Sequence, residues 1–281
     1  MIENYIGKIT NGDCVEVMGQ MPELTIDLMV TSPPYNCGIK YDTHDDFMLM
    51  EDYWIWTEKW LTQVYRLLKD DGRVAINIPY ETNVQDRGGR VFFVSEFYQV
   101  MKKVGFKFFG IVDLEEDSPH RSKTTAWGSW MSPSSPYIYN PKECVILAYK
   151  KQHIKKVKGE PQWIGEPYVS EDGKNKVAYT EDQKREFMEL VFGQWKYLND
   201  TKQLTKATFS MDIPTKAIKI LSYKNDIVLD PFCGSATSMV AAETLDRRWI
   251  GIELSPNYTE VGLQRVQGFV DLKKQTEMEL K

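Results

Sequence analysis

Cysteine and histidine are scarce in this chain of 281 residues, with four copies of the first and three of the second. The cysteines (Cys14, Cys37, Cys144 and Cys233) are scattered and lack the paired spacing of a zinc site, so we expect no structural metal. No apolar run approaches the roughly 20 residues that cross a bilayer. The first residues lack a basic segment followed by an apolar one, so we expect no secretory leader. These absences predict a cytoplasmic protein with reduced thiols.

A surplus of positive charge is also missing, since 35 Lys and Arg face 40 Asp and Glu, for a net charge of −5. The total therefore lacks the basic character that usually accompanies a nucleic-acid partner. Six lysines nevertheless lie close together, at Lys142, Lys150, Lys151, Lys155, Lys156 and Lys158. They have two interpretations, a solvated lysine-rich linker or a local strip that contacts phosphates on an otherwise acidic body.

The order of apolar residues predicts alternating strands and helices. Short apolar runs such as 26–30 and 73–78 alternate with segments such as 53–68, whose apolar residues recur every three or four positions. Gly72 and Gly105 follow two of the predicted helices, where a glycine commonly provides a left-handed cap. Helices that alternate with buried strands indicate an α/β sheet with helices on both faces.

Residues 151–206 interrupt this rhythm, because the segment is polar, rich in lysine and punctuated by glycine and proline. Thr180 followed by Gln183 is typical of a capping box, so we expect one helix inside the segment. The strand–helix rhythm then resumes with apolar runs at 226–230 and 249–253. We interpret 151–206 as a subdomain inserted into the α/β sheet.

The segment 230–238 combines a strand end, a turn of small residues and a helix start. Such a helix start points unpaired N–H groups at whatever occupies the turn, and Gly234 allows a ligand to approach the backbone. Glu253 ends the following strand, where an acid can accept hydrogen bonds from a ribose diol. The turn matches neither a Walker A loop nor a dinucleotide Gly-x-Gly-x-x-Gly. It indicates a nucleoside cofactor, with a tight turn that binds no ligand as the alternative.

A second motif, Ser32-Pro33-Pro34-Tyr35, follows the apolar run 26–30. The Ser32 hydroxyl and the Pro33 carbonyl offer two adjacent hydrogen-bond acceptors, and Tyr35 adds a ring for stacking. Two acceptors and a ring suit an exocyclic amino group on a planar base. The alternative is a proline-stiffened turn with a buried tyrosine.

Together the two motifs make the chain resemble the beta group of DNA amino-methyltransferases, which methylate exocyclic nitrogens of adenine or cytosine with S-adenosyl-L-methionine. The family's catalytic motif, (Asp/Asn/Ser)-Pro-Pro-(Tyr/Phe), is matched by 32–35, and its cofactor motif, Asp-Pro-Phe-x-Gly-Ser-Gly-Thr, by 230–237. The resemblance implies a Rossmann-like methyltransferase sheet in circularly permuted order. It also implies three parts: a catalytic half at 1–150, an inserted target-recognition subdomain at 151–206 and a cofactor-binding half at 207–281.

The resemblance also implies roles for individual residues. It assigns catalysis to Ser32, Pro33, Pro34 and Tyr35. It assigns cofactor binding to Asp13, Thr31, Pro214, Asp230, Pro231, Phe232, Gly234, Ser235, Thr237 and Glu253. Trp127, Ser129 and Trp130 resemble a loop that lines the pocket for a base flipped out of double-stranded DNA. Phosphate contacts would fall to Lys150, Lys151, Lys155, Lys156 and Lys158.

Three positions depart from the family pattern. Ala236 stands where the family usually has the second glycine of the cofactor turn, and it would be strained if that position needs a positive φ. The segment 209–214 matches the family only at Pro214. Ser32 replaces the aspartate that the family links more often with adenine, so we expect methylation of cytosine N4 rather than adenine N6.

Other functions stay open at this point. The departures leave room for a catalytically inactive DNA-binding relative, and RNA or a protein glutamine could replace DNA as substrate. Methylation of cytosine carbon 5 fits poorly, because it needs a nucleophilic cysteine in a Pro-Cys loop and Cys37 is not in one. The sequence leaves open both a homodimer and a cognate restriction endonuclease as a separate protein.

Overall fold

The computed structural model describes residues 1–40, 42–43, 46–84, 89–116, 129, 131–136, 138, 140–198 and 210–279. Within these ranges the strands are β1 (Lys8–Asn11), β2 (Ile26–Thr31), β3 (Leu68–Pro79), β4 (Thr82–Val84), β5 (Gly89–Val91), β6 (Lys107–Glu116), β7 (Glu143–Tyr149), β8 (Glu166–Val169), β9 (Asn175–Ala178), β10 (Gln194–Tyr197), β11 (Ile227–Asp230) and β12 (Arg248–Glu253). The α-helices are α1 (Cys14–Gly19), α2 (Met50–Leu67), α3 (Phe93–Val104), α4 (Glu181–Val191), α5 (Asp212–Leu221), α6 (Thr237–Thr244) and α7 (Pro256–Glu279). The alternation that the apolar pattern predicted is confirmed.

Eight of the described strands form one sheet in the order β1-β12-β11-β2-β3-β7-β6-β10. All neighbouring pairs are parallel except the two that involve β7, which runs antiparallel to β3 and to β6. The parallel strands therefore share one edge where their carboxyl ends lie. The predicted α/β class is confirmed.

The two central strands β2 and β11 lie side by side, with Val228 opposite Leu28 and Leu229 opposite Met29. From β2 the chain crosses through α2 to β3 on one side, and from β11 it crosses through α6 to β12 on the other. Crossovers that leave in opposite directions open a crevice at the carboxyl ends of the two strands, where open α/β sheets bind ligands. The predicted catalytic motif follows β2 and the predicted cofactor motif follows β11, so the fold brings both to this crevice.

A hydrophobic core lies on each face of the sheet. On one face α1, α2 and α3 pack through side chains such as Trp60 and Phe97, which are fully buried. On the other face α5, α6 and α7 pack through side chains such as Ile218 and Met239. Because alternate strand residues point to opposite faces, β2 contributes Met29 to the first core and Leu28 to the second.

Two of the predicted helix ends are confirmed and one is wrong. Gly105 caps α3 with a φ of 116°, and Thr180 and Gln183 form the capping box of α4. Gly72, however, does not cap α2, which ends at Leu67 and passes directly into β3. A Cβ at Gly72 would lie 2.9 Å from the side chain of Leu68, so the glycine is needed here for close packing within a strand.

The predicted inserted segment contains the β8–β9 hairpin and α4, but it also contains β10. β10 pairs with β6 and extends the main sheet, and its Trp195 is 1% exposed within the core. The segment is therefore partly integrated into the α/β sheet, and its role in target recognition stays a prediction. Among the described residues, no helix is both long enough and apolar enough to cross a membrane.

Candidate active site

The crevice joins the two predicted motifs through one buried hydrogen bond. Thr31, the last residue of β2, donates from Oγ1 to Oδ1 of Asp230, the last residue of β11, at 2.6 Å. Both residues are completely buried. This contact links residues 199 positions apart, and it fixes the start of the predicted catalytic loop relative to the start of the predicted cofactor turn.

Asp230 is a carboxylate with unused hydrogen-bonding capacity. Its Oδ1 also accepts from the backbone N–H of Phe232 at 3.0 Å, whereas Oδ2 is buried and makes no hydrogen bond of ordinary geometry among the described residues, although the Ser238 hydroxyl lies close to the carboxylate. Burial raises the pKa of Asp230 to about 6, and this outweighs the lowering influence of the nearby Ser238 and Thr31 hydroxyls. A carboxylate oxygen can accept more than one hydrogen bond, so Oδ2 has room for a ligand donor in addition to the Ser238 hydroxyl.

Glu253 lies beside the turn at the end of β12. Its Oε2 accepts from the backbone N–H of Gly234 at 2.8 Å, and its Oε1 accepts from the N–H of Ser255 at 2.9 Å. Each carboxylate oxygen can accept more than one hydrogen bond, so the carboxylate retains lone pairs for a diol. Burial raises the pKa of Glu253 above its usual value.

Asp13 lies at the same edge as Glu253. It follows β1, whose Asn11 is opposite Glu253 in the sheet, and it caps α1 by accepting from the N–H groups of Val15 at 2.8 Å and Glu16 at 3.1 Å. Three carboxylates predicted to bind cofactor therefore lie at one edge of the sheet. Asp230 and Glu253 end β11 and β12, and Asp13 lies just after β1.

The turn adopts a left-handed backbone conformation at Ala236, the position where the family usually has its second glycine. Gly234 has a φ of 50° and Ala236 a φ of 64°, so alanine occupies the left-handed region that costs it about 1 kcal/mol. The Ala236 methyl is fully buried, close to Gly262 of α7. Burial of one methyl contributes a similar amount, about 0.8 kcal/mol, which explains how the chain tolerates alanine here.

Arg265 of α7 contacts the turn, although nothing in the sequence predicted this role. Its guanidinium donates to the carbonyl and hydroxyl oxygens of Ser235 at 3.1 and 3.3 Å, and to the hydroxyl of Thr237 at 2.9 Å. The hydroxyls predicted to bind cofactor are thus directed toward α7. They hold the turn in place, and ligand contact by Ser235 and Thr237 stays a prediction.

The remaining predicted cofactor residues lie around the same turn. Pro231 and Phe232 follow Asp230 directly, and the Phe232 ring contacts Trp56 and Trp60 with centroid separations of 5.4 and 5.2 Å. Pro214 is buried in the first turn of α5, which packs on the opposite core. Phe209, which belongs to the divergent segment 209–214, lies outside the described residues.

Two tyrosines hold the predicted catalytic loop, residues 32–35, by hydrogen bonds. The hydroxyls of Ser32 and Tyr35 are 2.6 Å apart, and Tyr53 of α2 donates its hydroxyl to the Pro34 carbonyl at 2.7 Å. The Tyr35 ring meets Phe93 edge-on, with centroids 6.4 Å apart. The loop is therefore rigid, and its motif residues lie together at the carboxyl end of β2.

Asn36, directly after the motif, was also missed. It adopts a φ of 55°, and its side-chain amide exchanges hydrogen bonds with the backbone of Met48 at 2.6 and 2.9 Å. Its own N–H donates to Asp46 at 2.8 Å. Asparagine tolerates this left-handed conformation better than most residues, which is the signal that could have identified it.

Two further polar side chains lie behind Tyr35. Asn77 of β3 donates from Nδ2 to the Tyr35 hydroxyl at 2.8 Å and to Oε2 of Glu143 at 2.6 Å, and Glu143 starts β7. The Tyr35 hydroxyl lies 3.5 Å from the same Glu143 oxygen. A single asparagine in the apolar strand 73–78 was a visible signal, but nothing in the sequence connected it to Glu143.

The predicted target-base pocket can be followed only in part, because Trp127 and Trp130 lie outside the described residues. Ser129 organises its own loop: its hydroxyl donates to the Ser132 carbonyl at 2.7 Å and accepts from the N–H of Ser135 at 2.8 Å. A contact between Ser129 and a base stays a prediction.

The lysine strip requires a correction. Lys150 is 4% exposed and donates to the Leu68 carbonyl at 2.8 Å, and Lys155 is 7% exposed and pairs with Asp226 at 3.0 Å. Buried ammonium groups with protein partners cannot contact a DNA backbone, so the phosphate prediction is wrong for these two residues in this structure. The segment also begins directly after Tyr149, the last residue of β7. Because β7 runs antiparallel to β3 and Tyr149 pairs with Arg73, the segment leaves the sheet at the edge opposite the crevice.

The other members of the strip differ among themselves. Lys151 forms an ion pair with Asp70 at 3.0 Å, and Lys156 and Lys158 are exposed. For these three lysines, phosphate contact stays a prediction.

Known proteins resemble this chain in sequence and in fold. The family model described as DNA methylase matches residues 26–264. Type II methyltransferase M.MjaVI of Methanocaldococcus jannaschii is 36% identical over 204 residues, which are 72% of this chain and 92% of that protein. The structure of a candidate DNA modification methylase from Thermus thermophilus, complexed with S-adenosyl-L-methionine, superposes with a TM-score of 0.66 at 22% identity and covers 94% of each chain. The cytosine-N4-specific PvuII DNA methyltransferase superposes with a TM-score of 0.65 at 17% identity and covers 95% of each chain. The two superpositions demonstrate a shared fold.

Proposed function

This chain belongs to the DNA methylase family, and on that basis we propose that it transfers a methyl group from S-adenosyl-L-methionine to the exocyclic amino group of a flipped base in double-stranded DNA, with cytosine N4 as the target. The observation that carries the proposal is the hydrogen bond between Thr31 and Asp230. It holds a loop that can bind an amino group beside a turn that can bind a nucleoside, as a transfer between the two requires.

The residues at the crevice fit this cofactor. S-Adenosyl-L-methionine supplies a methyl group bound to a positively charged sulfur. Glu253 offers free lone pairs for the ribose diol, Asp13 can accept from the adenine amino group, and Oδ2 of Asp230 is a buried acceptor that can take a hydrogen bond in addition to the nearby Ser238 hydroxyl. Three carboxylates also favour a cationic ligand.

The catalytic loop has a separate task. Ser32 and the Pro33 carbonyl would hold the two N–H bonds of the target amino group, which turns the nitrogen lone pair toward the methyl carbon. Tyr35 would lie against the base and stabilise positive charge near the sulfur. No strong base is required before the transfer, because the nitrogen becomes acidic as it is alkylated.

Cytosine is favoured over adenine because Ser32 occupies the first motif position, as the family resemblance implies. We also propose the cytoplasm as the location, since none of the four cysteines is paired.

Mass spectrometry of nucleosides tests the reaction. Unmethylated genomic DNA is incubated with the protein and S-adenosyl-L-methionine that carries a labelled methyl group, and the hydrolysed nucleosides are analysed. We expect labelled N4-methylcytosine. Labelled N6-methyladenine alone would show that the target base is wrong, and unlabelled DNA from every source would refute the reaction.

Glu253→Ala is expected to weaken binding of S-adenosyl-L-methionine by about 1–3 kcal/mol, because the ribose loses its hydrogen-bond acceptor. Equilibrium dialysis with the labelled cofactor gives the dissociation constant, and thermal unfolding checks that the variant is folded. Glu260→Ala is the matched control, because Glu260 is exposed on α7. Equal affinity in the two variants would remove Glu253 from the cofactor site.

A further inference from the structure

A series of hydrogen bonds runs from the proposed catalytic loop to a partly buried carboxylate at the start of β7. Ser32 is 2.6 Å from the Tyr35 hydroxyl, which is 3.5 Å from Oε2 of Glu143. Asn77 donates to both Tyr35 and Glu143, at 2.8 and 2.6 Å, and so holds the two together. The chain spans the loop after β2, strand β3 and the first residue of β7.

The charge on Glu143 gives this chain a direction. An ionised carboxylate only accepts hydrogen bonds, and the Asn77 amide only donates from Nδ2. The Tyr35 hydrogen is therefore drawn toward Glu143, and the Tyr35 oxygen becomes the acceptor for the hydrogen of Ser32. With its own hydrogen directed at Tyr35, Ser32 presents lone pairs to an incoming amino group.

This direction matters because serine is a weaker acceptor than the aspartate found in many family members. A hydrogen bond to a neutral hydroxyl is about half as strong as one to a charged group. A charge at the end of a hydrogen-bond chain polarises every bond in it, most of all inside a protein where screening is weak. A partly buried glutamate behind Ser32 thus restores part of the missing charge.

We propose that Glu143 is a positioning residue for methyl transfer, which acts through Tyr35 to hold Ser32 as a hydrogen-bond acceptor for the target amino group. The proposal rests on the proposed function, because it needs an amino group at Ser32. Glu143 itself touches neither substrate, and it does not choose between cytosine and adenine.

The surroundings of Glu143 determine how the chain responds to pH. Tyr35 and Asn77 face it from the loop and β3, Glu116 faces it from β6, and Tyr197 interacts with it from β10. Burial raises the pKa of Glu143 above its usual value, the bonds from Asn77 and Tyr35 lower it, and the charge of Glu116 raises it further. Glu143 therefore gains a proton at a less acidic pH than an ordinary glutamate.

Protonation of Glu143 reverses the direction of these hydrogen bonds. The neutral carboxyl group donates to Tyr35, Tyr35 donates to Ser32, and Ser32 turns its own hydrogen toward the amino group, where donor meets donor. The transfer rate should accordingly decrease as the pH decreases through the pKa of Glu143. This loss belongs to the rate of transfer and leaves cofactor affinity unchanged.

The test compares Glu143→Gln with wild type in single turnovers at saturating cofactor and DNA. We expect a transfer rate about tenfold lower at neutral pH, since a charge-assisted hydrogen bond is replaced by a neutral one. The ratio of wild-type to variant rates should shrink toward one as the pH decreases. Asp230, whose pKa is raised to about 6, is intact in both proteins and cancels from that ratio.

Two further variants keep the result interpretable. Glu115→Gln on β6 is the matched control, because Glu115 is exposed and accepts a hydrogen bond from the Gln194 side chain at 2.8 Å. The transfer rate of this variant should equal that of wild type. Tyr35→Phe breaks the chain but leaves Glu143 in place, so the double variant with Glu143→Gln should be no slower than Tyr35→Phe alone.

The outcomes separate the two proposals. A Glu143→Gln rate equal to wild type at every pH, or additive losses in the double variant, would overturn the role of Glu143 while methyl transfer stands. Absence of transfer by the wild-type protein on any DNA would instead refute the proposed function. If Glu143→Gln does not fold, Tyr35→Phe decides, because the proposal requires the ratio of the wild-type rate to the Tyr35→Phe rate to shrink as the pH decreases. A ratio that stays constant with pH would overturn the role of Glu143.

Discussion

Ser32→Ala is expected to lower the rate of methyl transfer about 100- to 1,000-fold, a loss comparable to removing one preorganised group from an oxyanion hole. The alanine cannot accept an N–H bond, so the amino group keeps its planar, delocalised lone pair. The hydroxyl also contacts Tyr35 at 2.6 Å, and its removal frees that partner. Single-turnover transfer of a labelled methyl group measures the effect.

Cofactor affinity should not change in this variant, because Glu253 and Asp230 are untouched. Ser95→Ala on α3 is a suitable control, since it removes the same hydroxyl away from the crevice. Tyr35→Ala should reduce transfer to a similar extent by removing the ring. Full transfer rates in both Ser32→Ala and Tyr35→Ala would refute the assignment of the catalytic loop.

Lys155→Ala is expected to reduce the free energy of unfolding by about 3 kcal/mol, because removal of one member of a buried ion pair leaves a buried charge uncompensated. The Lys155 ammonium lies 3.0 Å from Asp226 and 3.9 Å from Asp27, and its side chain is 6% exposed. The loss falls at the low end of the usual range, since Asp27 keeps a second partner in Lys69 at 2.6 Å. Urea unfolding followed by circular dichroism gives the value.

Lys156→Ala is the control next in sequence, and its side chain is exposed. Its stability should stay within about 0.5 kcal/mol of wild type. If Lys155→Ala keeps full stability but binds DNA more weakly, then Lys155 contacts phosphate as the sequence predicted, and its ion pair does not contribute to the free energy of unfolding.

Features set by neighbouring residues were predictable from the sequence. Gly105 and the pair Thr180–Gln183 act within one helix turn, so their sequence signals suffice. Gly72 carried the same signal as Gly105 but serves a strand, because the decisive contact is with the Leu68 side chain. A lysine-rich segment such as 150–158 does not disclose which lysines are buried, since that depends on partners such as Asp226 more than 70 positions away.

In the candidate site, too, features set by neighbouring residues were predictable and features set by distant contacts were not. The two motifs identified the strand ends at Thr31 and Asp230, because each motif is contiguous. Glu143 and Arg265 were missed because each is brought to its motif by the pairing of distant strands or the packing of the last helix. The residues proposed to bind ligands could thus be named from the sequence, whereas Glu143 and Arg265, which contact those residues, required the fold.

The position of β2 beside β11 also determines when the protein can finish folding. Leu28 pairs with Val228, Asp27 accepts from the N–H of Ile227 at 2.9 Å, and Lys8 pairs with Ile250. During synthesis β1 and β2 are therefore made before their partners β12 and β11. Until β11 is made, one edge of β2 is unpaired and open to association with other chains. Contacts between such distant residues close slowly, because a long loop must be ordered before they form. The ribosome must therefore have made β11 and β12 before the crevice exists, so a chain terminated before β11 would expose β2 without forming the candidate cofactor site.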